Sequence, residues 1–381
     1  MSRRDTLATA GGAAVYSVSL GSAVVALPLL ALEAGYSVVQ VGVLVALSAV
    51  TQMLGRVGMG AWMNRFADWT FVVAASVLLV LSSGLAALST AAVPFVLAHL
   101  LQGVSRAFFW TGTQTHAVRG DRPAVQGMAL VNLSSATGLL AGPLLAGAVG
   151  EVSLSLAMAV SAGLGALGLV PAALLDRLPP FSPPQGSSQK RIWRRPGVDA
   201  GCWAGASAGA WRGLIGSYVP VALDAARLSP SLIGVLIAVA NAAQLVGSAA
   251  VTRVAKRLLV RSLVVGTVTA GLGVGVVGLL AGNPWLAGAA LAVSGLGAGV
   301  LQTAGPAVAV ENVHPQERGA VMAASGTFRA AALMVSPLAA AALVAVAPVW
   351  VALAVGGGLI LTPVRSAWRV DRRPGPDPTD A

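Results

Sequence analysis

The sequence predicts an all-α membrane protein: twelve transmembrane helices in two pseudo-symmetric six-helix bundles. Three observations predict it. The chain is 56% hydrophobic and 10% charged, where soluble domains carry about 25% charged residues. Apolar stretches able to supply the roughly 20 residues of a bilayer crossing recur along almost its whole length. The Lys and Arg residues between those stretches fall on alternating interruptions, as an even number of crossings requires.

The first apolar run follows Ser-Arg-Arg-Asp and predicts a helix over 9–32. It is long enough to span and further spans follow, so it reads as a helix rather than a cleaved signal. Helices are then predicted over 38–60, 69–89, 92–117, 124–149 and 153–175. A second set is predicted over 198–223, 231–252, 261–281, 284–310, 319–344 and 347–364. These runs are too long for strands, and Ala, Leu and Gly fill them without period-two alternation. Glycine weakens helices in water, but in lipid the backbone must bond internally and small residues let helices approach closely.

The longest interruption, from Asp176 to Gly197, holds Pro179, Pro180, Pro183, Pro184 and a Gly-Ser-Ser segment before Lys-Arg-Ile-Trp-Arg-Arg. Such clusters mark a linker. It divides the chain into a bundle over 1–178, a linker over 179–197, a second bundle over 198–364 and a tail over 365–381. The linker's basic cluster reads as an anchor to anionic lipid headgroups.

One side of the predicted topology carries Arg3, Arg4, Arg65, Arg119, Arg177, Arg194, Arg195, Arg253, Arg318 and Arg365 among others, with Arg56 close to it. The other carries Arg227. The populated side is expected to be cytoplasmic, with both termini on it, in a cytoplasmic (inner) membrane. The formal charge of +11 is therefore a topology signal rather than a nucleic-acid signal. Cys202 is the single cysteine, which excludes an intrachain disulfide and a cysteine zinc cluster. No Walker loop is present. Neither a cofactor, a metal site nor an enzyme is expected.

Arginines placed inside the bilayer are the most informative feature. Arg106 falls deep in the fourth helix, Arg212 past the middle of the seventh, and Arg329 near the middle of the eleventh. An arginine at bilayer centre costs at least about 2.5–3.5 kcal/mol. The thirteen acids map to helix ends, so no carboxylate is expected at that depth. His99, Gln102, Arg106, Trp110 and Thr113 share one helix stripe. Ser48, Gln52 and Arg56 form another, and Asn241, Gln244 and Ser248 a third. Asn132, Gln302 and Trp211 are further candidates to line a central cavity. A planar guanidinium donates paired hydrogen bonds to carboxylate or phosphate. The expected ligand is accordingly a small anion. Glu33, His99, His116 and Asp224 are the candidates for proton coupling, while exchange against a counter-anion needs no proton site.

Three local motifs resemble the major facilitator superfamily, and the resemblance covers about Thr9 to Val364. The loop Gly60-Ala-Trp-Met-Asn64-Arg65-Phe-Ala-Asp68 is similar to that family's Gly-x-Leu-x-Asp-Arg-x-Gly-Arg-Arg loop. The family's acid falls on Asn64, and its later basic residues on Asp68 and Trp69. His99-Leu-Leu-Gln102-Gly103 is similar to the family's Arg-x-x-Gln-Gly segment, with His99 in place of the arginine. Gly138-Leu-Leu-Ala-Gly142-Pro143-Leu-Leu-Ala-Gly147 resembles the Gly-x-x-x-Gly-Pro-x-x-Gly signature of the family's antiporters. The resemblance implies a secondary transporter working by alternating access. Asn64, Arg65, Asp68, Gly138, Gly142 and Pro143 would then take gating and conformational roles, and export or antiport is favoured. The expected partners are a small anionic substrate, a coupling ion (a proton or a counter-anion) and the lipid bilayer, with the chain as a monomer. Two other readings stand beside this one: a multidrug efflux transporter whose tryptophans select hydrophobic compounds, and a transporter-like sensor or assembly factor without flux.

Overall fold

A computed structural model describes residues 3–63, 65–119, 124–180, 192–195, 197–251, 253–254, 258–311, 313 and 318–364. Asn64, most of the linker, the segments holding Arg122 and Pro315, and the tail lie outside the described residues. Among the described residues every regular element is a helix.

The first half contains α1 (Arg3–Glu33), α2 (Val38–Trp62), α3 (Asp68–Leu88), α4 (Ala92–Val118), α5 (Ala124–Gly150), α6 (Leu154–Leu167) and α7 (Leu169–Ala173). The second contains α8 (Val198–Ile215), α9 (Tyr218–Ala225), α10 (Pro230–Val251), α11 (Leu259–Leu280), α12 (Pro284–Glu311), α13 (Arg318–Val344) and α14 (Val349–Ile360). Gly168 separates α6 from α7 within one crossing, and Gly216 with Ser217 separates α8 from α9 within another. Among the described residues, ten stretches are long and apolar enough to cross a membrane. The α8–α9 pair and α14 bring the crossings to twelve.

Local chemistry sets the turns between crossings. Gly35 adopts φ +87° after α1, a left-handed conformation that glycine takes without steric cost. Two residues on, Ser37 starts α2 with a reciprocal cap: its hydroxyl accepts from the Gln40 amide, and its own amide donates to Gln40 Oε1 at 2.7 Å. Ser153 caps α6 by accepting from Leu156 N. Asn283 Oδ1 accepts from Trp285 N and Leu286 N at the start of α12.

The two halves repeat one packing scheme. In the first, α1 packs on α5, α2 on α4, α3 on α4 and α6; in the second, α8 packs on α13, α10 on α12, α11 on α12 and α14. Small residues make the close crossings. A Cβ added at Gly138 or Gly142 would overlap backbone of α1 at Ala14 and Val18, and one at Gly209 would overlap the Arg329 carbonyl. Packing of this kind drives helix association where lipid removes the hydrophobic effect.

Contacts between halves run along α5–α10 and α2–α13, and several lie away from the arginine-rich face. Tyr218 Oη donates to the Val38 carbonyl at 3.2 Å, and its ring lies over Gly42. Ser231 N donates to Glu151 Oε1 at 3.1 Å, Gly147 meets Pro230, and Gly234 meets the Pro143 carbonyl. Asn241 Nδ2 donates to the Leu139 carbonyl at 3.0 Å near mid-depth. Two helical turns closer to the basic face, Asn132 lies on the same side of α5 as Leu139 and is exposed. The halves therefore close at the far end and part toward the basic end.

Candidate functional site

Where the halves begin to part, arginines from both converge. Arg212 and Arg329 are joined through Gln244 and Gln302. Arg56 and Arg106 come from the first half, Arg212 and Arg329 from the second. Each half thus contributes two arginines. Among the described residues, no carboxylate lies within ion-pair distance of any of the four.

Amides take the place of acids. Arg212 donates from Nη1 to Asn241 Oδ1 at 2.9 Å and from Nη2 to Gln244 Oε1 at 2.6 Å. Gln244 Nε2 donates to Gln302 Oε1 at 2.7 Å, and Arg329 Nη2 reaches that same oxygen at 3.4 Å. Arg212 also stacks 5.2 Å from the Trp211 ring centroid, a cation–π contact. The second half therefore holds its two arginines in one amide network running from α8 through α10 and α12 to α13. Gln302 is exposed at its open end.

The first half is less complete. Arg106 Nη2 donates to Gln102 Oε1 at 2.7 Å, one turn earlier on α4. Arg106 Nε, Arg56 Nε, Gln102 Nε2, Gln52 Oε1 and Ser48 Oγ are buried without a hydrogen-bond partner. An unsatisfied buried polar group costs about 1–3 kcal/mol. A site that collects five of them is poised to bond something further. Behind Arg106, Tyr16 stacks on Phe109 at 3.6 Å and shares a 2.8 Å hydrogen bond with Ser105, which donates to the Ala75 carbonyl. This packing fixes the stretch of α4 that carries the arginine.

Other sequence candidates fall elsewhere. Trp211 is fully buried in the core of the second half, its indole N–H donating to Ser294 Oγ at 2.7 Å. Trp110 is half-buried beside Phe109. His99 is buried with Nδ1 2.9 Å from the Phe95 carbonyl and its ring edge-on to Phe95. Glu33 and Asp224 are exposed at the far helix ends. Gly138 and Gly142 form the α1–α5 crossing, and Pro143 sits against Gly21 on one side and Gly234 of the other half on the other. Arg65 is exposed.

Asp68 and His116 meet in a second cluster, at the basic end of the first half. His116 lies between Asp5 and Asp68, at 3.0 and 3.3 Å, and Arg119 Nη1 reaches Asp68 at 3.2 Å. Two features escaped sequence reasoning. Arg56 counts as close to the basic end along its helix, yet its Nε is buried without a hydrogen-bond partner. Asp5 lies outside the predicted first helix, yet α1 extends to include it. The polar stripe Ser48-Gln52-Arg56 was the available signal for the former; nothing local signalled the latter.

Similarity to known proteins agrees with this architecture. The family model for the Major Facilitator Superfamily matches residues 9–214 and 201–381. Among solved structures, the chain is similar to the nucleoside transporter NupG, at 10% identity over 97% of this chain and 99% of that one, with a TM-score of 0.72. It is similar to a POT family transporter in complex with a thioalcohol-conjugated peptide, at 12% identity, 95% coverage of both chains and a TM-score of 0.74. It is also similar to a bacterial homolog of the human lysosomal transporter Spinster, at 14% identity, 97% and 96% coverage, and a TM-score of 0.65. No curated protein matches the sequence. The chain belongs to the Major Facilitator Superfamily and is a multi-pass membrane transporter of a solute.

Proposed function

We propose that this protein carries a small anion, a carboxylate or phosphate compound, across the cytoplasmic membrane by alternating access, with export or antiport as its direction. The single observation that carries the reading is that Arg106, Arg212 and Arg329 are held by amide side chains and, with Arg56, have no acid within ion-pair distance among the described residues. Intramembrane charges of this kind mark substrate pathways, and guanidinium is suited to bidentate anion recognition.

The arrangement also gives a reason for exchange. Closing the basic end brings Arg56 toward Arg329 and Arg106 toward Arg212. Two unit charges 4 Å apart repel by about 4 kcal/mol at an effective dielectric of 20. A bound anion removes that repulsion. Closure is then favoured when the site is loaded, which makes one anion the counter-substrate of another and requires no proton. On this reading the basic face is cytoplasmic, both termini lie there, and one chain contains the whole pathway.

The test is counterflow in proteoliposomes. A labelled carboxylate or phosphate compound should enter vesicles preloaded with the same anion and should not enter empty ones. Arg106→Ala and Arg212→Ala should each abolish entry. Undiminished entry of a neutral or cationic compound through the Arg106→Ala protein would overturn the reading in favour of a multidrug carrier.

A further inference from the structure

The first-half wall of the site bears on what kind of anion is carried, a step that rests on the anion reading above. Helices α2 and α4 cross closely. Thr51 Oγ1 donates to the Leu100 carbonyl at 2.9 Å, a Cβ added at Gly103 would overlap the Ser48 carbonyl, and one at Gly55 would overlap Ala107. The contacts advance together along both helices, so the two run the same way. Each residue turns a helix by about 100°. For helices running the same way, the residue after a contact on one and the residue before a contact on the other lie on the same side of the crossing. Gln52 follows Thr51 and Arg56 follows Gly55, while Gln102 precedes Gly103 and Arg106 precedes Ala107. These four side chains therefore share one side of the α2–α4 pair. Ser48, one turn before Gln52, joins them.

Five polar atoms on that side are buried without a hydrogen-bond partner among the described residues: Ser48 Oγ, Gln52 Oε1, Arg56 Nε, Gln102 Nε2 and Arg106 Nε. Ser48, Gln52 and Gln102 are more than nine-tenths buried, and the two arginines are half-buried. Gln102 Oε1 accepts from Arg106 at 2.7 Å, which fixes that amide with its N–H end free. Arg56, Gln102 and Arg106 thus offer donors, Gln52 Oε1 only accepts, and the Ser48 hydroxyl does either. An ionised acid group answers the donors and leaves Gln52 Oε1 bare, because it too only accepts. The ligand has to bring a donor of its own. An ammonium would stand beside two guanidinium groups that have no acid within ion-pair distance among the described residues, and like charges repel. A hydroxyl carries no charge, donates to Gln52 and accepts from Ser48.

We propose that the carried anion bears a hydroxyl group beside its acid group, the acid held by Arg56, Gln102 and Arg106 and the hydroxyl by Gln52 with Ser48. Gln52 is then the residue that selects a hydroxylated anion over its deoxy counterpart. A site built to hydrogen-bond a hydroxyl rejects the analogue that lacks it, since the site's own polar group is left unpaired.

The experiment is calorimetric titration of the purified full chain with paired anions: lactate and propionate, malate and succinate, glycerol 3-phosphate and propyl phosphate. Glycerol is the uncharged control. Wild type should bind the hydroxylated member of at least one pair about tenfold or more tightly than its deoxy partner. In Gln52→Leu that preference should vanish through weaker binding of the hydroxylated member, with the deoxy member bound as before. The variant puts an apolar side chain of similar size where an unbonded amide was buried, so its thermal midpoint without ligand should equal or exceed that of wild type. A marked fall in that midpoint would give Gln52 a structural role and overturn the assignment, as would a preference that survives in Gln52→Leu. Equal binding within every pair, or tighter binding of the deoxy members, overturns the hydroxyl inference and leaves the anion reading standing. Failure of every anion to bind, whether or not glycerol binds, overturns the anion reading and this inference with it.

Discussion

Two charged clusters of this protein are built on opposite plans. The cluster at the basic end pairs two buried carboxylates with an imidazole and a guanidinium, and its members lie within ion-pair distance of one another. The cluster at mid-depth gathers arginines from both halves with amides in place of acids and leaves Arg56 Nε and Arg106 Nε unbonded. A closed, balanced cluster is what structure requires. An open cluster with excess charge of one sign is what a ligand of the opposite sign requires. The difference teaches that buried charge by itself does not mark a site; what distinguishes the two is whether protein completes the charge balance.

The largest effects should come from breaking the balanced cluster. Asp68→Ala leaves His116 and Arg119 without their shared partner, and removal of one member of a buried pair costs about 3–5 kcal/mol. Thermal unfolding in detergent should show a marked fall in midpoint. Arg106→Ala should do the reverse: it removes charge that has no acid partner, so the midpoint should hold while anion binding weakens. Hydrogen bonds to charged groups contribute about 1.5–3 kcal/mol each, which corresponds to a loss of roughly tenfold to a hundredfold in affinity. Equal loss of stability in the two variants would erase the distinction.

Smaller effects sharpen the contrast between halves. Gln244→Leu breaks the network that joins Arg212 to Gln302, and it should cost about 1–3 kcal/mol in stability or anion affinity. Gly142→Ala inserts a methyl where α5 meets Val18 and Ser22 of α1. Overpacking of this kind costs about 1–3 kcal/mol, read as slower transport with binding retained. Arg65→Ala, at an exposed residue, should change stability by no more than about 0.5 kcal/mol.

Much of this architecture is legible in the sequence, because bilayer thickness forces a length on every apolar run. The predicted helix over 69–89 lies at Asp68–Leu88, and that over 231–252 at Pro230–Val251. The breaks at Gly168 and Gly216–Ser217 were not legible, since small residues also fill unbroken membrane helices. The absence of acids near Arg106, Arg212 and Arg329 among the described residues follows from depth alone, and so it was readable. The cluster at the basic end was not: Asp5 and His116 are 111 residues apart, and only the fold shows that they touch. Trp211 is a third kind of case. It was a candidate to line the cavity, and the structure buries it fully with its indole N–H on Ser294 Oγ.

The most direct test of the central claim is the thermal stability of the purified protein against a panel of carboxylate and phosphate anions and their uncharged analogues. A ligand of the native state raises the midpoint with concentration. Wild type should rise with at least one anion and not with its neutral analogue, while Arg212→Ala should not rise at all. Equal stabilisation of both proteins by the anion, or stabilisation of wild type by neutral compounds alone, would contradict an anion site built from these arginines.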